Sequence, residues 1–264
     1  MRGQGRAWAN RAAWVALTVT SAIAGAAAVG CRRSGASPSA HDPQATLGDT
    51  GSQPTGARIV LIEGTSLTAG AGLDPDQAYP SLLQEKVNAA GLPFTVRNAG
   101  LSGETSAGAL RRLDWLLRGP IDVFVLESGA NDGLRGLNLD SLRANLAAVI
   151  RGVKEARPSA RICLMQMEAP VNLGPAYTRP FHDVYPEVAR AEGVTLLPFL
   201  LAGVAGQPAL NQADGIHPNV QGERIVAETV WRALEPVLRS VASGARAAVG
   251  GRERPRSRVT GAAG

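Results

Sequence analysis

Aromatic side chains are scarce: four Trp, three Tyr and four Phe make up 4% of the 264 residues. Any core must therefore be aliphatic. Two cysteines cannot staple a disulfide miniprotein, and 31 glycines are too few for a collagen repeat. With 45% hydrophobic and 19% charged residues, wholesale disorder is excluded too. Internal repeats are missing. Nor is positive charge spread over the chain, although the net charge is +5. Residues 1–33 carry five Arg and no acid, and residues 241–264 carry a further excess of four. Residues 58–240 hold 17 Lys/Arg against 19 Asp/Glu, so the middle is nearly neutral and offers no basic groove for nucleic acid.

The ends read as processing and tethering segments. Arg2, Arg6 and Arg11 precede an apolar run from Ala12 to Val29. A positive start, an apolar stretch and small residues before the cut describe a secretory signal, assigned to residues 1–30. The run has one Leu and one Ile, so it would insert only weakly as a membrane span. Its ending, Ala28-Val29-Gly30-Cys31, resembles a bacterial lipobox, although position 28 is not the usual Leu. That resemblance implies acylation of Cys31, which would become the mature N-terminus of an exported, membrane-anchored lipoprotein facing the periplasm or cell surface. An uncleaved signal anchor and plain secretion are the alternatives. Residues 31–57, rich in Ser, Gly, Pro, Thr and Ala, read as a flexible tether. Residues 243–264, with Arg252, Arg254, Arg256 and Arg258, read as a disordered basic tail. Cys163, in the run Ile162–Met165, reads as a buried core residue.

Residues 58–242 form the single folded domain. Strands are expected at Arg58–Ile62, Phe94–Asn98, Ile121–Glu127, Arg161–Met167 and Val194–Pro198. Helices are expected at Tyr79–Ala90, Ser106–Leu117, Ser141–Ala156, Arg179–Ala191 and Val220–Val241. The last of these places Ile225, Val226, Val230, Leu234 and Val237 on one face. Strict alternation implies an α/β fold, one parallel sheet with helices on both faces. In such a sheet, function gathers in the loops at the C-terminal strand ends.

Four segments there carry polar chemistry: Gly64-Thr65-Ser66-Leu67, Asn98–Ser106 around Gly103, Ser128-Gly129-Ala130-Asn131-Asp132-Gly133, and Asp214-Gly215-Ile216-His217-Pro218-Asn219. Each is weak alone. In this order and placement they resemble the SGNH (GDSL-type) serine hydrolases, above all the arylesterase, thioesterase I and lysophospholipase branch, over residues 58–240. The stretch Tyr177–Leu201 adds to the likeness. The resemblance implies a three-layer α/β/α fold with a flavodoxin-like, five-stranded parallel sheet, no metal and no organic cofactor. It also implies that Ser66, Gly103, Asn131 and His217 are the defining residues, with Asp214 completing a triad. One departure is Thr65, where the family usually has Asp; altered packing of the elbow is expected rather than lost chemistry. Glu63 is also unusual, and sequence reasoning gives it no role.

The residues support that chemistry on their own terms. A serine hydroxyl attacks well only when a base takes its proton, and His is suited to that near neutral pH. His41 lies in the tether and His182 in an expected helix, while His217 has a carboxylate three residues away. Asp214 at that spacing can accept the imidazole Nδ1–H and fix the tautomer. Backbone N–H groups of Ser66 and Gly103, with the Asn131 amide, would serve as the oxyanion hole. The expected substrate is a small-molecule or lipid ester or thioester, with loops 134–140 and 168–178 setting its choice. Leu134, Leu137, Val171 and Leu173 there suggest an apolar acyl site. A carbohydrate O-acetylesterase of the envelope, and a non-catalytic surface-binding lipoprotein of the same fold, are the rival readings. Oligomeric state is not legible. Replacing Cys31 by Ala should release the protein from membranes in a fractionation experiment, and unchanged retention would point to a signal anchor.

Overall fold

The structure, a computed structural model, describes residues 56–250. The signal segment, Cys31, the tether up to residue 55 and the tail beyond residue 250 lie outside the described residues.

Five strands, β1 (Arg58–Gly64), β2 (Phe94–Gly100), β3 (Val123–Leu126), β4 (Arg161–Gln166) and β5 (Thr195–Phe199), pair in the order β2-β1-β3-β4-β5. Every pairing is parallel. The central strands are buried on both faces, as their near-continuous apolar sequences require. Edge strand β5 instead exposes Thr195, Leu196 and Pro198.

Among the described residues eight α-helices flank the sheet: α1 (Ser66–Ala69), α2 (Tyr79–Ala89), α3 (Ser106–Arg111), α4 (Leu113–Leu116), α5 (Ala130–Leu134), α6 (Leu139–Ala156), α7 (Pro175–Ala191) and α8 (Val220–Gly250). α2 and α8 pack together on one face, and α3, α6 and α7 form the other layer. Helical spacing buries Leu142, Leu146, Val149, Ile150 and Val153 of α6. On α8, Val226, Val230 and Leu234 are buried as expected, but Leu238 takes the innermost place in the next turn and Val237 stands half-buried beside it. Cys163 is a buried free thiol, and burial pushes its pKa up to about 12.

The three-layer α/β/α expectation holds; most element ends fall within two residues of expectation, and three helices depart further. The helix expected over Ser106–Leu117 is two helices, interrupted at Arg112, whose side chain turns in toward buried carboxylates. α7 begins at Pro175 rather than Arg179, because Pro is pre-set for a first helical turn. α8 runs to Gly250, past the expected Val241.

Strand order reverses direction between β1 and β3, and at such a switch point the loops leaving the two carboxyl ends diverge to opposite faces and open a crevice. Both loops meet tight constraints there. Gly129, after β3, has φ +101°, and a Cβ would lie 2.3 Å from the Tyr185 hydroxyl and 2.9 Å from Leu142 Cδ1. Gly129→Ala should therefore cost at least about 2 kcal/mol, read from urea unfolding, since backbone strain and overpacking add.

Candidate active site

β1 ends in Gly64-Thr65-Ser66. A side chain at 64 would strike the Thr68 hydroxyl and Glu127, so the chain can turn here only with Gly. Thr65 is extended and caps α1, its hydroxyl accepting from Leu67 N at 3.4 Å. Ser66 is the first residue of α1, and a backbone N–H at that position has no helix carbonyl to bond. After one turn the helix ends at Gly70, in the left-handed region.

Beneath this elbow lies Glu127, fully buried at the end of β3. Its carboxyl accepts from Thr65 N at 2.7 Å, from the Thr68 hydroxyl at 2.8 Å, and from the Thr65 hydroxyl at 3.1 Å. Burial nonetheless raises its pKa to about 7 against the pull of those bonds. The Thr68 hydroxyl also meets the Tyr79 hydroxyl at 2.8 Å. From the β2 side, Asn98 donates to Thr68 O at 2.8 Å. The elbow is thus held from two strands.

The Asp214–His217 segment is a closed loop before α8. Asn211 and Pro218 form a β-bridge across its base, and Gln212 N donates to His217 O at 2.7 Å. Gln212 Nε2 reaches both Pro218 O and Ala71 O, tying this loop to the elbow. Asn219 then caps α8, accepting from Gln221 N and Gly222 N. Within the loop, Asp214 Oδ1 accepts from the backbone of Ile216 and His217, and Oδ2 meets His217 Nδ1 at 2.6 Å. The bond to His217, then those backbone donors, hold the Asp214 carboxyl down to about 2. His217 Nε2 lies 2.8 Å from Ser66 Oγ.

Sequence reasoning placed Gly103 and Asn131 beside this chain of bonds. Gly103 has φ +78° and its carbonyl accepts from Arg135. Asn131, buried in α5, gives one amide hydrogen to Glu104 O at 2.9 Å, which fixes the amide and leaves its second hydrogen for another acceptor. Asp132 accepts from both the backbone N and the hydroxyl of Ser106, fastening the β3 loop to the β2 loop. Leu101 N donates to Gly64 O at 2.8 Å, so the Gly103 loop is also joined to the elbow.

A cavity of about 1030 Å³ opens beside these residues, lined by Leu67, Ala130, Gly215 and Ile216, direct neighbours of the polar groups just described. Its further walls include Leu134, Met167, Val171, Leu173, Phe199 and Leu201. Leu137, expected among them, does not line it; its carbonyl instead accepts from the Tyr177 hydroxyl. Among the described residues no group of three His, Cys, Asp or Glu is placed to hold a metal.

Glu127, Asp132 and Arg112 escaped sequence reasoning. The first two sit inside or beside a segment already singled out, and a buried acid at a strand's end was the available signal.

Residues 63–225 match the GDSL-like lipase/acylhydrolase family. The chain is 40% identical over 187 residues to "Esterase TesA" of Pseudomonas aeruginosa, covering 70% of this chain and 92% of that one. It is 37% identical over 183 residues to "Thioesterase 1/protease 1/lysophospholipase L1" of Escherichia coli K12, covering 69% and 86%. Among solved structures, a psychrotrophic esterase EstA from Pseudoalteromonas sp., inhibited by monoethylphosphonate, superposes with a TM-score of 0.65 at 34% identity, covering 69% of this chain and 99% of the other.

A buried carboxyl with a raised pKa destabilises the fold only when ionised. The penalty from Glu127 is therefore absent near pH 4 and grows to about 3 kcal/mol as pH climbs to 7. Glu223, also pushed up to about 7 by burial, acts in the same direction. Unfolding by urea should show stability falling from pH 5 to 8, and Glu127→Gln should remove part of that fall, the rest coming from Glu223 and from Glu63, whose pKa burial also raises.

Proposed function

Because the chain belongs to the GDSL-like lipase/acylhydrolase family and hydrolyses ester bonds, we propose that it is an exported serine esterase acting on carboxylic esters and thioesters through an acyl-enzyme on Ser66. The observation that carries this reading is the pair of bonds Ser66 Oγ to His217 Nε2, 2.8 Å, and His217 Nδ1 to Asp214, 2.6 Å. His217 Nε2 takes the Ser66 proton as Oγ attacks the carbonyl carbon. The ionised Asp214 holds the Nδ1 proton and offsets the imidazolium charge. The carbonyl oxygen becomes an oxyanion, for which Ser66 N–H, Gly103 N–H and the second Asn131 amide hydrogen are the donors. As the tetrahedral intermediate collapses, His217 returns the proton to the leaving alcohol or thiol. Water then repeats the cycle on the acyl-enzyme and frees Ser66.

The cavity supports a substrate with an apolar acyl chain, because aliphatic side chains make up most of its wall beside Ser66 and His217. Glu168, Asn172, Thr178, Arg179, His182 and Asp183 line the same cavity, so a p-nitrophenyl ester panel of varied chain length, run beside an O-acetylated glycan, separates the two substrate classes. A non-catalytic binding module would be favoured by a damaged elbow at Thr65, but Thr65 N donates to Glu127 and its hydroxyl accepts from Leu67 N. Acylation at Cys31 would hold this domain at a membrane, close to lipid esters.

Ser66→Ala should lower turnover of a p-nitrophenyl ester by about 10⁴-fold or more, and Asp214→Asn should lower kcat by about 10³–10⁴-fold with KM little changed. Wild-type turnover in Ser66→Ala would end the proposal.

A further inference from the structure

Arg112, at the break between α3 and α4, reaches under the site with a side chain only 17% exposed. Its Nε donates to both oxygens of Glu104, at 2.7 and 2.8 Å. Its Nη2 lies 2.5 Å from Glu104 Oε2, 3.0 Å from Glu63 Oε1, 2.8 Å from Ala99 O and 3.3 Å from Gly64 O. One planar guanidinium therefore touches the residue two before Ser66, the end of β2, and the residue after Gly103. Glu104 passes the connection on, because its carbonyl holds the Asn131 amide. All the groups assigned to the serine and to the oxyanion donors are joined through this cation.

Glu63 is the unusual partner. It is fully buried one residue before Gly64, and its second oxygen has no hydrogen-bond partner. A buried acid with an unused oxygen is expensive to keep unless its placement does something. Thr65, two residues on, is where related sequences carry an acid. Were Asp present at 65 as well, its carboxyl would stand between Glu127, which the Thr65 hydroxyl now meets at 3.1 Å, and the Glu63–Glu104 pair on Arg112.

We propose that Arg112, braced by Glu63 and Glu104, is a positioning residue that fixes the Ser66 elbow against the Gly103 loop, and that Glu63 replaces the acid missing at Thr65. The inference rests on the roles given above to Ser66 and Gly103. Lys cannot substitute for Arg112, because an ammonium is a point charge and cannot span two carboxylates and two carbonyls with a rigid fork. Burial, then the Glu104 charge against the pull of Arg112, keeps the Glu63 carboxyl protonated to higher pH than an exposed Glu. Two acids therefore share one guanidinium without full mutual repulsion.

The test is a cycle of Glu63→Leu, Thr65→Asp and the double variant, assayed for kcat and KM on a p-nitrophenyl ester. Active sites are titrated with a fluorophosphonate so that rates refer to folded enzyme. Each single change should lower kcat about tenfold with KM within about twofold, and the double variant should return to within about threefold of the parent. A double variant no better than the worse single would overturn the exchange of roles. Arg112→Lys keeps the inference testable if those variants fold poorly. It should lose about tenfold in kcat per titrated site, and full kcat per site would show that Arg112 serves stability alone. Failure of the Ser66 assignment is distinguishable, because it would appear as turnover in Ser66→Ala whatever the cycle returned.

Discussion

A serine hydroxyl and an imidazole 151 residues apart in the chain meet at 2.8 Å, and nothing local in either segment brings them there. Ser66 follows β1 and His217 precedes α8, so the contact depends on the sheet and on the packing of α8 beside α2. Short ties convert that general nearness into bonding distance. Gln212 links the histidine loop to Ala71, and Glu223, from the first turn of α8, accepts from Tyr79 N at the start of α2. A shift of about 1 Å between these pieces would lengthen the Ser–His bond beyond useful proton transfer. The other half of the relay is local. Asp214 and His217 share one loop, and backbone donors fix the carboxylate independently of the rest of the fold.

The charge arrangement follows a consistent division. Asp214, 44% exposed, is kept ionised by donors aimed at it. Glu63, Glu127 and Glu223 are buried and pushed toward the protonated form; Glu127 and Glu223 hold backbone and hydroxyl donors in place, and Glu63 accepts from the Arg112 guanidinium. The acid that carries charge in the proposed mechanism, Asp214, thus sits near solvent. Acids that organise the elbow sit beneath it, where each bond is stronger in the low dielectric and each ionisation costs more. The stability lost through those buried carboxyls is the counterpart of a rigid elbow.

Much of this was legible in the sequence because strand ends in a parallel sheet are marked by Gly and small polar residues. The pieces Gly64–Ser66, Gly103, Asn131 and Asp214–His217 all announce themselves in that way. Short helices α1 and α5 were not legible: four or five residues carry no periodic signal, and both read as loops. The interruption at Arg112 was hidden for a different reason. Arg is a good helix former, and only the buried partners Glu63 and Glu104, remote in sequence, draw it inward. Of the four leucine and valine residues expected at an apolar site, Leu134, Val171 and Leu173 do line the cavity. Leu137 failed because loop leucines pack wherever the backbone turns them, and composition cannot show that direction.

The molecule also holds a second histidine–carboxylate pair, which isolates what makes the first one useful. His182 Nδ1 lies 2.6 Å from Glu168, the same separation as His217 Nδ1 from Asp214. His182 and Glu168 line the large cavity, as do Gly215 and Ile216 between Asp214 and His217, and either carboxylate can fix its histidine's tautomer. The recorded polar neighbours of His182, Glu168 and Gln166, gather at Nδ1, whereas His217 Nε2 faces a serine hydroxyl. A carboxylate can orient and polarise an imidazole, but an oriented base does nothing without a proton to take from a nucleophile. In the proposed mechanism reactivity therefore belongs to the three-body contact of Ser66, His217 and Asp214, and the sequence spacing of acid and histidine measures only its easier half.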